Sequence, residues 1–150
     1  MSCKYFEDWI VGQEYTTPGR TMTETDIVMF AGTTGDYNEL HTNAEFTASG
    51  QFGQRIGHGL LGLSVSHGLW FRTGFLEGSV IAFLGLDSWQ FKGPFFIGDT
   101  LRVRFRATEA KASKSKPDRG IVKFFLEVVN QNDQVIQSGY KTLMVHRRPA

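Results

Sequence analysis

The chain of 150 residues has 16 basic and 15 acidic side chains, a formal net charge of +1, and 41% hydrophobic residues. This composition is typical of a folded domain with a sizeable core and argues against a disordered chain. The balanced charge gives no reason to expect nucleic acid or an anionic membrane as a partner. The single cysteine, Cys3, cannot form an internal disulfide and fits a reducing compartment.

The first segment, MSCKYFEDWIVGQEY, has early acidic side chains and no continuous apolar run, which is untypical of a signal peptide. No stretch has the length needed to cross a bilayer without charges or glycines. We therefore expect a cytoplasmic protein with no membrane partner, folded as a single domain over residues 1–150.

The first half of the chain is glycine-rich and predicted to be mostly helical. Thr23 followed by Asp26 predicts a reciprocally capped helix start, and we expect this helix to end near Gly32–Gly35. The segment NAEFTASG predicts a short helix closed by Gly50.

The longest helix is predicted over Gly59–Thr73, because Leu61, Val65 and Leu69 recur every four residues. Small residues crowd this element: Gly59, Gly62, Ser64, Ser66 and Gly68. Each helical glycine costs up to about 1 kcal/mol relative to alanine. We therefore expect another element to pack very close to this backbone.

From residue 80 the hydrophobic period changes to two, which predicts antiparallel strands with one covered face. The predicted strands are residues 80–92, TLRVRFRATEA, IVKFFLEVVN and VIQSGYKTLMVHR, with a further strand near 14–21. Residues 111–120 are predicted to form a hairpin loop. The fold class is therefore α+β, a single sheet with one face on a helix. Open sheet edges favour pairing with a second copy, so we expect a homodimer or a larger homo-oligomer.

Two polar segments are candidates for chemistry. GDYNELHTN contains Asp36, Asn38 and His41, and Asp and His are the usual partners in proton transfer. This spacing is also compatible with an ordinary polar turn. In IGHGLLGLS, Gly57 and Gly59 flank His58 just before the long helix. Free N–H groups at a helix start can stabilise an oxyanion.

Together these segments, within residues 30–64, resemble the hydratase motif of MaoC-like (R)-specific enoyl-CoA hydratases. The match consists of the acid, the Asn, the His five residues after the acid, and the later I-x-H-G-L sequence. The resemblance implies a hot-dog fold, in which a curved antiparallel sheet wraps a central helix. It also implies reversible hydration of a trans-2-enoyl-CoA to an (R)-3-hydroxyacyl-CoA.

In that resemblance Asp36 and His41 are the catalytic pair that activates water, and the Gly59 N–H polarises the thioester carbonyl. Asn38 is expected to shape the loop or steady the water, and His58 matches the motif in a supporting role. No metal or redox cofactor is implied, and none of the four histidines has a paired zinc-ligand spacing. The substrate is carried by coenzyme A or by acyl carrier protein.

One departure from the family concerns the position eight residues after Gly59, where the family often has serine. Here that position is His67, with Ser64 and Ser66 nearby, and we expect Ser64 and His67 to contact substrate. Glu39 stands where proline is common. These departures leave the acyl group open: an aliphatic chain requires an apolar tunnel, whereas a dicarboxylic acyl group requires a nearby Arg or Lys.

Two alternatives remain at this level. A hot-dog thioesterase would hydrolyse the thioester, but the Asp–Asn–His loop belongs to the hydratase branch. A non-catalytic subunit that binds acyl thioesters would not need both Asp36 and His41.

Overall fold

The structure is a computed structural model that describes residues 2–150. Four α-helices lie in the first half: Glu24–Thr34 (α1), Glu39–Thr42 (α2), Ala44–Ala48 (α3) and Gly59–Phe71 (α4). The six strands, numbered in chain order, are Glu14–Thr16 (β1), Arg20–Thr21 (β2), Val80–Phe91 (β3), Thr100–Ala112 (β4), Arg119–Val129 (β5) and Val135–His146 (β6), of which β1 and β2 precede α1. In the described chain no helix is long and apolar enough to span a membrane.

The strands form one antiparallel sheet in the order β1-β4-β5-β6-β3, with β2 paired to β4 beside this path. β4, β5 and β6 follow one another through hairpins, and the other edge of β6 pairs with β3, which comes before β4 in the chain. The predicted antiparallel sheet and the hairpin loop near residue 115 are therefore confirmed. β3 is left at one edge of the sheet.

The alternation predicted for β4 is confirmed in the burial of its side chains. Leu101, Val103, Phe105 and Ala107 are each at most 1% exposed. They join one core with the apolar face of α4 and inward residues of β5 and β6. The sheet therefore covers α4, which gives the predicted α+β arrangement.

The reciprocal cap of α1 has the predicted geometry. The Thr23 hydroxyl accepts a hydrogen bond from the Asp26 N–H at 3.4 Å, and the Asp26 carboxylate accepts one from the Thr23 N–H at 2.9 Å. The helix ends at Thr34, and Gly35 follows with φ of 78°. This left-handed conformation suits glycine because it has no Cβ, and it turns the chain into the 35–43 loop.

Two predicted boundaries differ from the structure. The segment near 14–21 forms two short strands, β1 and β2, separated by Pro18-Gly19, because proline cannot donate to a strand ladder. α4 ends at Phe71 rather than Thr73. The Thr73 hydroxyl instead donates to the Trp70 carbonyl at 2.7 Å and closes the turn that follows.

Close packing against α4 is confirmed for Gly62 but not for every small residue of the helix. A Cβ at Gly62 would lie 2.4 Å from Gln137 Nε2, whereas one at Gly68 would meet nothing within 4 Å. Gln137 is buried on β6, donates to the Gly59 carbonyl at 3.0 Å and accepts from Trp89 Nε1 at 3.1 Å. Gly62 thus leaves space for the amide that ties the start of α4 to the sheet.

This packing predicts opposite effects for two glycine-to-alanine changes in one helix. Gly62→Ala should lower the free energy of unfolding by about 1–3 kcal/mol, because the buried Gln137 amide must move and lose a hydrogen bond. Gly68→Ala should raise it by about 0.5–1 kcal/mol, because only helix propensity changes. Urea unfolding of both variants measures the difference, and equal effects would contradict the close packing at Gly62.

Candidate active site

The 35–43 loop is shaped by its own short polar side chains. Asp36 Oδ1 accepts from the Asn38 N–H at 3.2 Å, and Asn38 Oδ1 accepts from the Leu40 N–H at 3.0 Å. These two Asx-type turns double the chain back and start α2. Asn38 is therefore a loop-shaping residue in the structure, one of the two roles expected of it. The side chain of Asp36 remains half exposed.

His41 is nearly buried, and its ring orientation is fixed from a distant part of the chain. Its Nδ1 lies 2.8 Å from the carbonyl oxygen of Ile56. A carbonyl can only accept, so Nδ1 carries the hydrogen and Nε2 of the neutral ring has a free lone pair. Nε2 faces Asp36 Oδ2 at 4.0 Å. This separation is too long for a direct hydrogen bond and leaves two acceptors facing one small space.

His58 supports both members of this pair. Its Nε2–H donates to the Asp36 carbonyl at 3.0 Å, and its ring stacks on that of His41 with centroids 3.8 Å apart. Phe30 of α1 packs its edge on the other side of His58, with centroids 4.9 Å apart. Among the described residues, the buried Nδ1 of His58 has no hydrogen-bond partner.

Gly59 is the first residue of α4 and follows His58, which makes no side-chain cap. The first N–H groups of a helix have no acceptor within the helix, and the helix dipole favours negative charge beside them. A Cβ at Gly59 would lie 2.8 Å from the Phe91 ring. A cleft of about 460 Å³ opens here, lined by Gly57, Gly59, Phe91, Phe95 and Gln137 among others.

Asp36, His41 and His58 each place one potential ligand atom within 4.8 Å of the others. This cluster is not predictable from residue spacing, because His58 comes from a separate segment. Nδ1 of His41 and Nε2 of His58 already bond to carbonyls. A metal ion would therefore need the His41 Nε2 lone pair, the same lone pair that proton transfer requires.

His67 lies two turns further along α4 and pairs with a residue that our sequence interpretation missed. Lys141 Nζ is 3.2 Å from His67 Nδ1, and Lys141 is only 1% exposed. Burial lowers the pKa of Lys141 to about 7. Burial and then the Lys141 charge lower the pKa of His67 to about 4. The signal for Lys141 was present, because the period-two pattern of β6 places it on the same face as Leu143 and Val145.

The neighbouring serines are engaged within the helix. Ser64 Oγ donates to the Leu60 carbonyl at 2.8 Å, and Ser66 Oγ donates to the Leu63 carbonyl at 2.7 Å. Ser66 is fully buried, whereas Ser64 is exposed and lines a cavity together with His67 and Lys141. The fold thus gathers Asp36, Asn38, His41, His58 and Gly59 at the start of α4, and Ser64 and His67 further along it.

The model of the MaoC-like domain family matches residues 8–135. The chain belongs to the MaoC-like family. The match covers both polar segments and most of the sheet. The family assignment inferred from residues 30–64 is therefore confirmed.

Two curated relatives show how far the similarity extends. An (R)-specific enoyl-CoA hydratase of Rhodospirillum rubrum is 32% identical over 145 residues, covering 96% of this chain and 93% of the relative. Protein MaoC of Klebsiella aerogenes is 40% identical over 101 residues, which is 67% of this chain but only 30% of that protein. The chain therefore spans nearly the full length of the first relative and under a third of the second.

Superposition on solved structures identifies the fold. A protein from Archaeoglobus described as a monoamine oxidase regulatory protein superposes with a TM-score of 0.87 at 33% identity, covering 99% of this chain and 98% of that one. A Mycobacterium tuberculosis protein described as a double hot-dog fold superposes with a TM-score of 0.85 at 22% identity, covering 98% of this chain and 45% of that one. The expected hot-dog fold is confirmed.

The buried lysine predicts an unusual dependence of stability on pH. The folded pKa of Lys141 lies below its unfolded value of 10.5, so between about pH 7 and 10.5 the unfolded chain binds more protons and the free energy of unfolding rises with pH. Below this window the buried charge costs up to about 5 kcal/mol. Lys141→Met should therefore stabilise the protein at pH 6.5, with a gain that shrinks towards pH 10.

Urea unfolding of the wild type and of Lys141→Met at several pH values measures this gain. Lys123→Met removes the same charge from the neighbouring strand β5, where Lys123 is only half buried, and serves as the matched control. A Lys141→Met protein that is less stable than the wild type at pH 6.5 would contradict the assignment of Lys141 as a buried, unpaired cation.

Proposed function

We propose that this protein catalyses the reversible addition of water across the C2=C3 double bond of a trans-2-enoyl thioester, giving a 3-hydroxyacyl thioester. The observation that carries the proposal is the pair formed by His41 Nε2 and Asp36 Oδ2, which face each other at 4.0 Å at the start of α4. Membership of the MaoC-like family and the hydratase relative support it. The (R) configuration of the product rests on the name of that relative.

The pair suits a water molecule as reactant. Both facing atoms are acceptors, so one water can donate a hydrogen to each and direct its oxygen lone pair at C3. As the O–C3 bond forms, one partner takes a proton from water, and the pair returns a proton to C2. His41 is a suitable carrier because an imidazole can both accept and donate a proton. The total change is addition of one water, and the reverse sequence is dehydration.

The start of α4 is proposed to stabilise the negative charge that develops in the transition state. Attack at C3 moves negative charge through C2 to the thioester oxygen, which gives the transition state enolate character. The Gly59 N–H and the dipole of α4 favour charge at that position. Glycine at this position leaves room for the Phe91 ring, which lines the same cleft.

The carrier group is proposed to be coenzyme A or acyl carrier protein. The arginine stripe of β4 is poorly suited to the phosphates of either carrier, because each arginine is already paired with an acid: Arg102 with Asp133, Arg104 with Glu127, and Arg106 with Glu14. Lys114 and Lys116, in the β4–β5 hairpin, have no ion pair among residues 2–150 and are better candidates for phosphate contact.

The proposed function predicts a specific loss on changing one atom of Asp36. Purified protein mixed with crotonyl-CoA should remove the absorbance of the conjugated thioester without releasing free thiol. Asp36→Asn should lower kcat/KM by about 10²–10⁴-fold, because the amide cannot accept the water proton. Glu39→Gln, at an exposed acid of the same loop, is the matched control and should retain activity.

The same assay separates the alternatives. Release of free thiol at a rate matching substrate loss would indicate the thioesterase. Binding of crotonyl-CoA without turnover would indicate the non-catalytic subunit. Activity that is lost on chelation and restored by Zn²⁺ would indicate a metal held by Asp36, His41 and His58 instead of the proton transfer proposed here.

We also propose that two copies pair through β3. This strand ends the sheet on one side, and Phe83, Leu84, Leu86 and Phe91 on it are 40–52% exposed. An open strand edge with exposed apolar side chains is a template for pairing with another strand.

Light scattering of the wild type should therefore give twice the chain mass of 16.9 kDa. Leu84→Arg should shift the protein to the monomer, because a charge would be placed in an apolar contact. Met29→Arg, at an exposed position of α1, should leave the dimer intact. A dimer that survives Leu84→Arg would place the interface elsewhere.

A further inference from the structure

Lys141 is a buried cation without a partner anion. Among residues 2–150 no carboxylate lies within 4.0 Å of its Nζ. Its surroundings are the Trp70 and Trp89 rings, at 5.5 Å and 5.3 Å, and His67. Aromatic faces and a neutral imidazole compensate a buried ammonium only in part. A purely structural role at this position would be served better by an apolar side chain.

The Lys141–His67 pair presents hydrogen-bond donors and no acceptor. The ammonium donates to His67 Nδ1 at 3.2 Å, so Nε2 of the neutral imidazole carries the ring hydrogen. The ammonium keeps further N–H groups, and His67 keeps one. A negatively charged group that only accepts hydrogen bonds would match both the Lys141 ammonium and the His67 N–H. A carboxylate has this chemistry.

A cavity of about 280 Å³ leads to this pair. Its lining comprises Leu63, Ser64, His67, Phe83, Leu86 and Lys141. Leu63, Phe83 and Leu86 form apolar walls, whereas His67 and Lys141 are ionisable. Such a cavity fits a ligand with a hydrocarbon stem and an anionic end.

The cavity lies further along α4 than the proposed catalytic site at the start of that helix. Gly59, Leu63 and His67 are spaced by four residues, so they follow one stripe of the helix. Gly59 and His67 are separated by about 12 Å along the axis, and the His67 side chain leans back towards the helix start. A thioester whose carbonyl meets the Gly59 N–H would extend its acyl chain along this stripe to reach the cavity, which shares no lining residue with the cleft at Gly59.

We infer that this cavity binds a carboxylate at the far end of the acyl group, held by Lys141 Nζ and His67 Nε2–H. The protein then prefers thioesters of dicarboxylic acids over thioesters of simple fatty acids. The identity of the ligand as an acyl thioester rests on the proposed function. The sequence alone is compatible with an aliphatic acyl chain and with one that carries a second carboxylate.

The test measures binding, so that it does not depend on turnover. Calorimetry compares three matched pairs of saturated thioesters: glutaryl-CoA with valeryl-CoA, adipyl-CoA with hexanoyl-CoA, and pimelyl-CoA with heptanoyl-CoA. Each pair differs only in a terminal carboxylate or methyl group. The wild type should bind the diacid of at least one pair about 10- to 100-fold more tightly, because a charged hydrogen bond is gained.

Variants of Lys141 and His67 test whether these residues cause the preference for diacid thioesters. Lys141→Met should abolish it and leave the binding of the methyl-ended partner within about threefold of the wild type, since the apolar walls and thioester contacts are unchanged. His67→Phe should reduce the preference by removing one donor. Lys123→Met, the matched loss of one charge, should retain it. Far-UV circular dichroism of each variant confirms that it is folded.

A wild type without any diacid preference would overturn the inference, and so would a preference that persists in Lys141→Met. The first result is expected if a carboxylate of a second copy fills the cavity. If the protein hydrates crotonyl-CoA in an Asp36-dependent way but shows no preference for diacid thioesters, the inference is overturned and the proposed function stands. If the protein prefers diacid thioesters in a Lys141-dependent way but hydrates no enoyl thioester, carboxylate binding in the cavity is supported and the proposed hydratase activity is overturned.

Discussion

The arrangement of the site depends on how closely the start of α4 approaches the sheet. A Cβ at Gly57 would lie 2.0 Å from the buried Phe95 ring, and one at Gly62 would lie 2.4 Å from Gln137. Side chains at these positions would push the helix away from the strands. Because they are absent, the Gln137 amide reaches the Gly59 carbonyl and is itself held by Trp89. The direction of the first N–H groups of α4 is therefore set by the sheet.

The same contact zone positions the polar loop. The Gly57 N–H donates to the Phe95 carbonyl at 2.8 Å, and the Ile56 N–H donates to the Leu40 carbonyl at 3.0 Å. The Ile56 carbonyl in turn fixes the His41 ring, and His58 binds the Asp36 carbonyl. The acid and the imidazole are thus held through hydrogen bonds to main-chain carbonyls, and the residue before His58 is held by Phe95 in the connection between β3 and β4. This is the kind of support that a preorganised site requires.

Elements dominated by local interactions were predictable from the sequence. The Thr23–Asp26 cap, the stop at Gly35 and the period-two strands depend on neighbours close in sequence or on one buried face, and the structure reproduces them. The orientation of His41 was not predictable, because its partner carbonyl at Ile56 is fifteen residues away. Residue type predicts an exposed Lys141, because charged residues are rarely buried, although the alternation of β6 places it inward.

Two of the polar groups that lack full compensation lie at α4 or beside it, and the indole N–H groups of Trp9 and Trp70 and the Tyr15 hydroxyl are also buried without a partner among the described residues. His58 Nδ1 has no partner at the helix start, and Lys141 has no anion two turns further on, among the residues that the structure describes. Elsewhere the arginines of β4 are each paired with an acid. Unpaired buried polar groups lower stability, so the His58 and Lys141 groups are more consistent with the ligand contacts proposed above than with packing alone. Under the proposed function, a ligand that reaches both groups would meet the Gly59 N–H at one end and the Lys141 ammonium at the other.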